Sequence, residues 1–415
     1  MHGPRLSVMA WRNLWRNRRR TLITVFAIVF GVLLAVLFTG LSNASLDDAV
    51  DTAARLGSGH VTLQHPEYLE TPATKRTVTG VADLERRARA IPGVKSVVHR
   101  VTGALMLATA AQSQGAQFIA YDPRAEDPAT LPLLEAVAPE ERLREPGGQG
   151  IVLGAGLAEN LNVTLGRKVV YTLTDKHGEI VTGLARVSGI LKTGTQGVDA
   201  NVCLMPIDAV RAALGYDGDE ATFVGLFLDD NRKSARVADT LRAAVPKTVA
   251  VLTWNEVMPD ISAFVAVKMA GLVVMELVML LLTGAGIFNT LLVSVMERLR
   301  EFGILMAIGF SPWRLSRLVL WESLWLGLVG VAAGIVATAW PYWYMATRGI
   351  SVAAMTGGKK IEVAGVGMSP QMYVRIHHDA AVGIVVVILL ATLVSGLYPA
   401  WRAGRVVPVE SIKLV

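Results

Sequence analysis

ERLREFGILMAIG, residues 297–309, lies between a long apolar stretch that ends near Val295 and another that begins near Leu315. Glu297, Arg298, Arg300 and Glu301 present both charge signs, while Phe302, Leu305 and Ile308 recur at every third position and predict one apolar edge of a helix. Gly309 fits the C-terminal cap of that helix. Ser311 then fits an N-cap, with Pro312 at the first position of a following helix. The segment therefore reads as helix, sharp stop, helix. A short charged helix over 297–314, held at a membrane edge with its charges toward water, suits docking better than catalysis.

The flanking stretches are membrane spans by length. Thr21–Leu41 forms the first, about 31 Å at 1.5 Å per residue. Ala263 to Met296 forms the second, roughly 50 Å long and more than a bilayer needs. Counting about 20 residues back from its loop end puts Glu276 at the far interface, so Glu276 and Lys268 read as an exposed helical extension. The third span covers 315–340 and the fourth 380–398. Gly327, Gly330 and Gly334 sit in the third, the last two as a GxxxG that lets two helix backbones approach closely. Trp340, Tyr342, Trp343 and Tyr344 at its end read as an interfacial aromatic belt.

A hydrophobic content of 52% with 18% charged residues fits a membrane protein. The net charge of +6 is concentrated beside spans: Arg12, Arg16, Arg18, Arg19 and Arg20 precede the first, and Arg298, Arg300, Arg314 and Arg317 flank the loop. Such bunching marks the cytoplasmic side rather than a nucleic-acid surface. Both termini and the 297–314 loop are thus expected inside, with 42–262 and the short 341–379 loop outside. Residues 1–20 predict an interfacial helix with Val8, Trp11, Leu14 and Trp15 on one face.

Between the first two spans, strand-like runs at 60–64, 95–101, 104–110, 117–122, 168–174, 185–191 and 223–229 alternate with helical runs at 83–90, 207–214 and 232–244. The expected fold class is an α-helical membrane protein with four transmembrane helices plus an extracytoplasmic α+β domain on a helical stalk.

The loop wording closely resembles the coupling helix of FtsX-like ABC transporter permeases, which include lipoprotein-release (LolC/LolE-type) and macrolide-exporter (MacB-type) subunits. GIVLGAGLAENLNVTLG at 150–166 and GHVTLQHPEYLE at 59–70 resemble the periplasmic domain of the same permeases. The ending from 398 resembles the family pattern Y-P-A-x-R-A-x-x-x-x-P-x-E-x-I through Tyr398, Pro399, Arg402, Ala403, Pro408 and Glu410 in the 399–415 tail region. The resemblance implies coupling to an ATPase through Glu297, Arg298, Arg300, Glu301, Phe302, Gly303, Leu305 and Gly309. It further implies two separate ABC ATPase subunits carrying ATP and Mg, a second permease chain (identical or homologous), membrane lipids, and a periplasmic lipoprotein carrier as partners. The implied work is mechanotransmission that releases lipoproteins from the inner membrane. A MacB-like efflux permease and an FtsX-like regulator of a cell-wall hydrolase are the alternatives. With about 20 residues ahead of the first span, the LolC/LolE-like arrangement is the expected one.

Catalytic and cofactor signatures are weak. No G-x-x-x-x-G-K-[ST] phosphate loop occurs, and Gly357-Gly358-Lys359-Lys360 lacks its spacing. Gly154-x-Gly156 lacks the third glycine of a dinucleotide loop and reads as a turn into a short helix. The single Cys203 reads as a buried small side chain, and the neighbours His377 and His378 read as a solvated loop pair. A membrane-bound enzyme is therefore the least favoured reading.

Overall fold

The computed structural model describes residues 3–351, 362–363, 366–367 and 371–406. The chain divides into two units, one comprising Met1–Ser45, Val267–Val352 and Gln371–Val415, the other Leu46–Ala266 with Ala353–Pro370.

Four helices of the described residues are long and apolar enough to cross a membrane: Arg18–Leu56, Pro259–Glu297, Pro312–Arg348 and His378–Gly404. Each outruns the span read from hydropathy. The third continues through Pro341 to Arg348, so Tyr342, Trp343 and Tyr344 are helical rather than part of a loop beginning at 341. The fourth continues through Pro399 to Gly404, so Tyr398–Ala403 is helix and the tail expected from 399 begins only after it. Hydropathy marks where a chain is apolar. A helix persists as long as its backbone bonds and packing do, and a proline removes only one of those bonds. Arg18, Arg19 and Arg20 belong to the first spanning helix, since the N-terminal helix ends at Arg16.

Ile28 and Val32 of the first span, Ile287 and Leu291 of the second, Leu326 and Val331 of the third and Ile388 of the fourth form one buried cluster. The glycines explain the closeness. A Cβ on Gly330 would lie 2.7 Å from Ile28, and one on Gly334 2.8 Å from Val32. The GxxxG thus meets the first span. Gly327 faces the fourth, at 3.2 Å from Thr392. The second span differs: none of its most apolar window is buried within the chain.

The other unit is built on β1 (Val61–Gln64), β2 (Val78–Thr79), β3 (Val94–Ala108), β4 (Ser113–Tyr121), β5 (Gly150–Gly154), β6 (Lys168–Thr174), β7 (Ile180–Leu191), β8 (Val202–Pro206), β9 (Glu220–Ala221), β10 (Phe223–Leu228) and β11 (Ala250–Thr253). The runs expected at 95–101 and 104–110 are one strand. Its first half pairs with β10 and its second half with β4 and β6. β3 therefore belongs to two structures. On one side is the antiparallel sheet β11-β1-β10-β3. On the other, β3-β4-β8-β5-β7-β6 closes back on β3 as a six-stranded ring. Closure removes exposed edges from this half of the domain. The short strands at 150–154 and 250–253 have no alternation to betray them and were not anticipated.

The core lies on one face of the sheet and inside the ring, where Val61, Leu63, Val97, Leu107, Phe118, Ile151 and Leu226 are buried. Helices Val81–Arg89 and Ser234–Ala244 add Leu84, Ala88, Ala238 and Leu241 to it. Cys203 is fully buried in β8, and burial pushes its thiol up to about 12.

The polypeptide enters and leaves this domain through neighbouring strands. The first spanning helix ends at Leu56, and Gly57–His60 lead into β1, which pairs with β11. Gly59 has φ +95 and lies against the Leu226 backbone, a place for glycine alone. β11 ends at Thr253, which forms a capping box with Glu256, the N–H of Thr253 donating to Oε2 at 2.7 Å. That turn starts the helical chain toward the second span. Both connections therefore lie at one edge of one sheet.

Candidate functional site

The loop after the second span resolves into a helix Leu299–Ala307, narrower than the 297–314 expected. Glu297 is the last residue of the preceding helix, and Arg298 is the N-cap. The stop is a Schellman motif: Phe310 N–H donates to the Leu305 carbonyl at 3.0 Å and Gly309 N–H to that of Met306 at 3.0 Å. Gly309 is the left-handed residue, at φ +102. Ile308 is the C-cap, and Gly309 lies one position beyond it. Ser311 and Pro312 begin the third spanning helix as the sequence predicts.

Phe302 is wholly buried beside Val295, Leu315, Val319, Ala400 and Ala403. The loop helix thus rests on the ends of the second, third and fourth spans. Ala403, from the C-terminal motif, is part of its seat, and Pro399 is buried close by. Tyr398 and Arg402 are exposed, while Pro408 and Glu410 lie outside the described residues. So do Gly357-Gly358-Lys359-Lys360.

The expected apolar edge of Phe302, Leu305 and Ile308 needs correction, because Ile308 is 77% exposed. Three-residue spacing drifts around a helix of 3.6 residues per turn, so the third residue leaves the face of the first. The buried side is Phe302 and Gly303 with Leu305 and Met306 half-buried. The exposed side is Arg300, Ile304, Ala307 and Ile308, with Gly309 at its end.

The charges also behave differently from expectation. The sequence predicts all four turned toward water. In the structure three are held within the chain. Arg298 is buried and donates through Nη1 to Glu322 of the third span at 2.9 Å, and through Nε to Glu301 at 3.2 Å. Arg16 Nη2 donates to both Glu301 oxygens at 2.6 Å, and Arg20 Nη1 to Glu297 at 2.6 Å. Asn13 Nδ2 donates to Glu322 at 2.8 Å. Burial alone would raise the Glu301 carboxyl, but hydrogen bonds from Arg16 and Arg298 outweigh it and hold it below the usual carboxylate range. The exposed pairs Arg16–Glu301 and Arg20–Glu297 are worth about 0–1 kcal/mol each, whereas Arg298–Glu322 is largely buried. Arg300 alone of the four faces outward without such a tie among the described residues.

The N-terminal helix Gly3–Arg16 reaches this network because Leu6, Ala10 and Leu14 are buried, Leu6 and Ala10 against Leu318. That stripe, four residues apart, takes Leu14 of the expected face into the chain's own packing. Val8, Trp11 and Trp15 are exposed, apart from an edge contact between Trp11 and Trp325. Asn13, Arg16, Arg20 and Glu322 were not predicted as site residues. The signal for Glu322 was a carboxylate within an apolar span; for the others there was none without the fold.

Four spans, a loop helix seated on their ends and an α+β domain inserted after the first span define a membrane permease subunit. Comparison with known proteins specifies it. The MacB-like periplasmic core domain family matches residues 21–244 and the FtsX-like permease C-terminal family residues 273–408. The first match spans more than half of the chain, which belongs to that family and is an ABC transporter permease of the MacB/LolC/LolE type. The lipoprotein-releasing system transmembrane protein LolE of Haemophilus influenzae is 24% identical over 83% of this chain and 84% of its own. LolC of Xylella fastidiosa is 24% identical over 65% and 66%. The macrolide export ATP-binding/permease protein MacB of Syntrophobacter fumaroxidans is 28% identical over 42% and 21%. The crystal structure of the periplasmic region of MacB from Actinobacillus actinomycetemcomitans matches 50% of this chain and 94% of that one, at 14% identity and TM-score 0.34.

Proposed function

We propose that this permease couples ATP hydrolysis on two separate ABC ATPase subunits to movement of its α+β domain, and that the movement releases lipoproteins from the outer leaflet of the inner membrane. The observation that carries the reading is the two-sided loop helix. Its buried side makes it one body with three spans, and its outer side offers Arg300, Ile304 and Ile308 to a partner. In this reading the loop and both termini face the cytosol, the α+β domain faces the periplasm, and ATP and Mg stay on the partner. A push on the loop helix moves the second span with it. Because β1 and β11 are adjacent, relative displacement of the first two spans acts on one sheet edge. The most apolar stretch of the second span, unburied within the chain, supports a second permease chain, since lipid or another helix would have to cover it. Lipoprotein release is preferred to macrolide efflux because the match to LolE extends over most of both chains. A periplasmic lipoprotein carrier completes the scheme.

Glu301 and Gly303 are poor test positions, since one is tied to Arg16 and the other is buried. Ile304→Glu with Ile308→Glu is the better variant. Full-length protein carrying both changes is expected to insert normally and to lose co-purification with a co-expressed partner ABC ATPase. Retained co-purification with normal stimulation of ATP hydrolysis would refute the docking role.

A further inference from the structure

Within the membrane unit, the first, second and fourth spans border a groove of about 260 Å³. Gly31, Thr39, Glu276, Thr283, Gly383 and Val387 are among its lining, and Glu276 is the one ionisable group on its walls among the described residues. Thr39 Oγ1 donates to Glu276 Oε1 at 3.0 Å, the single hydrogen bond that the described residues give this carboxylate. An ionised carboxylate has about four acceptor sites, so most of its capacity is open.

The groove has a polar end and an apolar end. From Glu276 to Thr283 is about 10 Å along the helix axis, and Thr39 to Gly31 runs antiparallel over about 12 Å. Glu276 lies about 31 Å from the loop end of its helix at Glu297, which is the thickness of the hydrocarbon core. The polar end therefore sits at the interface opposite the loop helix. Arg375 is held at the same level, its backbone N–H donating to the Gly40 carbonyl at 2.9 Å.

Inside a bilayer an apolar groove offers an acyl chain nothing that lipid does not, so selection has to come from the head. A carboxylate beside an apolar slot is costly unless a cation answers it. Three donors on a primary ammonium match the open acceptors of Glu276 and the Thr39 oxygen. We propose that this groove is a binding site for a phospholipid with a primary-ammonium head of the phosphoethanolamine type. Its ammonium binds Glu276 and Thr39, its phosphate lies at the level of Arg375, and one acyl chain runs past Thr283 and Gly383. The site does not depend on what the transporter carries.

The test uses the full-length protein in micelles containing equimolar phosphatidylethanolamine and phosphatidylcholine, with retained lipids counted by native mass spectrometry. Wild type is expected to retain phosphatidylethanolamine several-fold over phosphatidylcholine, because a quaternary ammonium has no N–H to donate. Glu276→Gln and Thr39→Val each reduce the preference. Gly383→Leu also abolishes it by filling the slot; a Cβ there meets nothing within 4 Å. Gly271→Leu, likewise in open space but off the groove, leaves the preference intact. Equal retention of both lipids by wild type would overturn the proposal. So would a preference that survives Glu276→Gln, or a Glu276→Gln variant that changes oligomeric state with lipid retention unaltered, since the groove would then be a chain–chain contact.

Discussion

Arg100 is the residue whose loss should do most to the α+β domain. It sits in β3 where that strand passes from the sheet to the ring, and its side chain is 1% exposed, as is that of Glu126. All five N–H donors are in use. Nε and Nη2 donate to Glu126 at 3.0 and 2.6 Å, Nη1 to the carbonyls of Arg55 and Gly57 at 3.2 and 2.7 Å, and Nη2 to that of Thr130 at 2.9 Å. One guanidinium therefore joins the end of the first spanning helix, the sheet and the segment after β4. Arg100→Met leaves a buried carboxylate unpaired, which costs about 3–5 kcal/mol. At about 1.4 kcal/mol per decade, that is a loss of roughly two to three and a half decades in the protection of amides that exchange by opening this region. Hydrogen exchange on the full-length protein in detergent reads it directly, comparing Val97–Val101 with Ile151–Leu153 in β5, the ring strand farthest from β3. Arg100→Met with Glu126→Leu removes the stranded charge but still leaves three carbonyls without their donor, so its protection should fall between wild type and the single variant. A single variant within tenfold of wild type, or a double variant no better than the single, would refute this account of the joint.

Other expectations follow from particular contacts. Phe302→Ala should cost about 3–5 kcal/mol of local stability because the ring is fully buried; a cysteine at Ile304 in that background should gain little reactivity with a maleimide, whereas one at Met306 should become markedly more accessible, and unchanged labelling at Met306 would count against the seat. Gly334→Leu should impair insertion or thermal stability by clashing with Val32, while Gly286→Ala, which meets nothing within 4 Å, should be near neutral by size-exclusion and melting. Asp51 is 2.9 Å from His60 Nε2 and accepts from Asn231 at 3.0 Å; burial raises its pKa, but these hydrogen bonds outweigh it and hold the carboxyl below its ordinary value of 3.8. Its contribution is therefore present above that ordinary value and lost as pH falls through the lower folded one. Asp51→Asn should reduce the acid-induced loss of exchange protection in Leu46–Gly57, and an identical acid profile would contradict the assignment. Cys203 should resist maleimide in the folded chain and react only on denaturation, as measured by intact mass.

Much of the loop was legible because its signals are local. The turn at Gly309 and the start at Ser311–Pro312 depend on backbone conformations that only certain residues adopt, and both stand where the sequence puts them. Its outward face was misjudged for an equally physical reason. Whether Arg298 faces water or Glu322 depends on a residue 24 positions away on another helix, and no periodicity carries that. The C-terminal motif shows the same limit. Hydropathy ends the fourth span at 398, yet the helix runs on through Pro399 with its end packed against the third; a Cβ on Gly404 would lie 2.5 Å from Ser316.

The amino-acid sequence alone determined the four spans, the insertion of an α+β domain after the first, and the helix–stop–helix of the loop. These follow from hydropathy, strand and helix patterning, and the conformational preferences of glycine and proline, all of which act within a few residues. Tertiary structure alone decided that β3 serves both a sheet and a closed ring, and that both domain entrances share one sheet edge. It also decided that Gly330 and Gly334 face the first span, and that Arg300, Ile304 and Ile308 are the outward side of the loop helix. Those outcomes depend on which distant surfaces meet, and a contact between remote residues is set by the packing of whole elements rather than by the local composition of either partner.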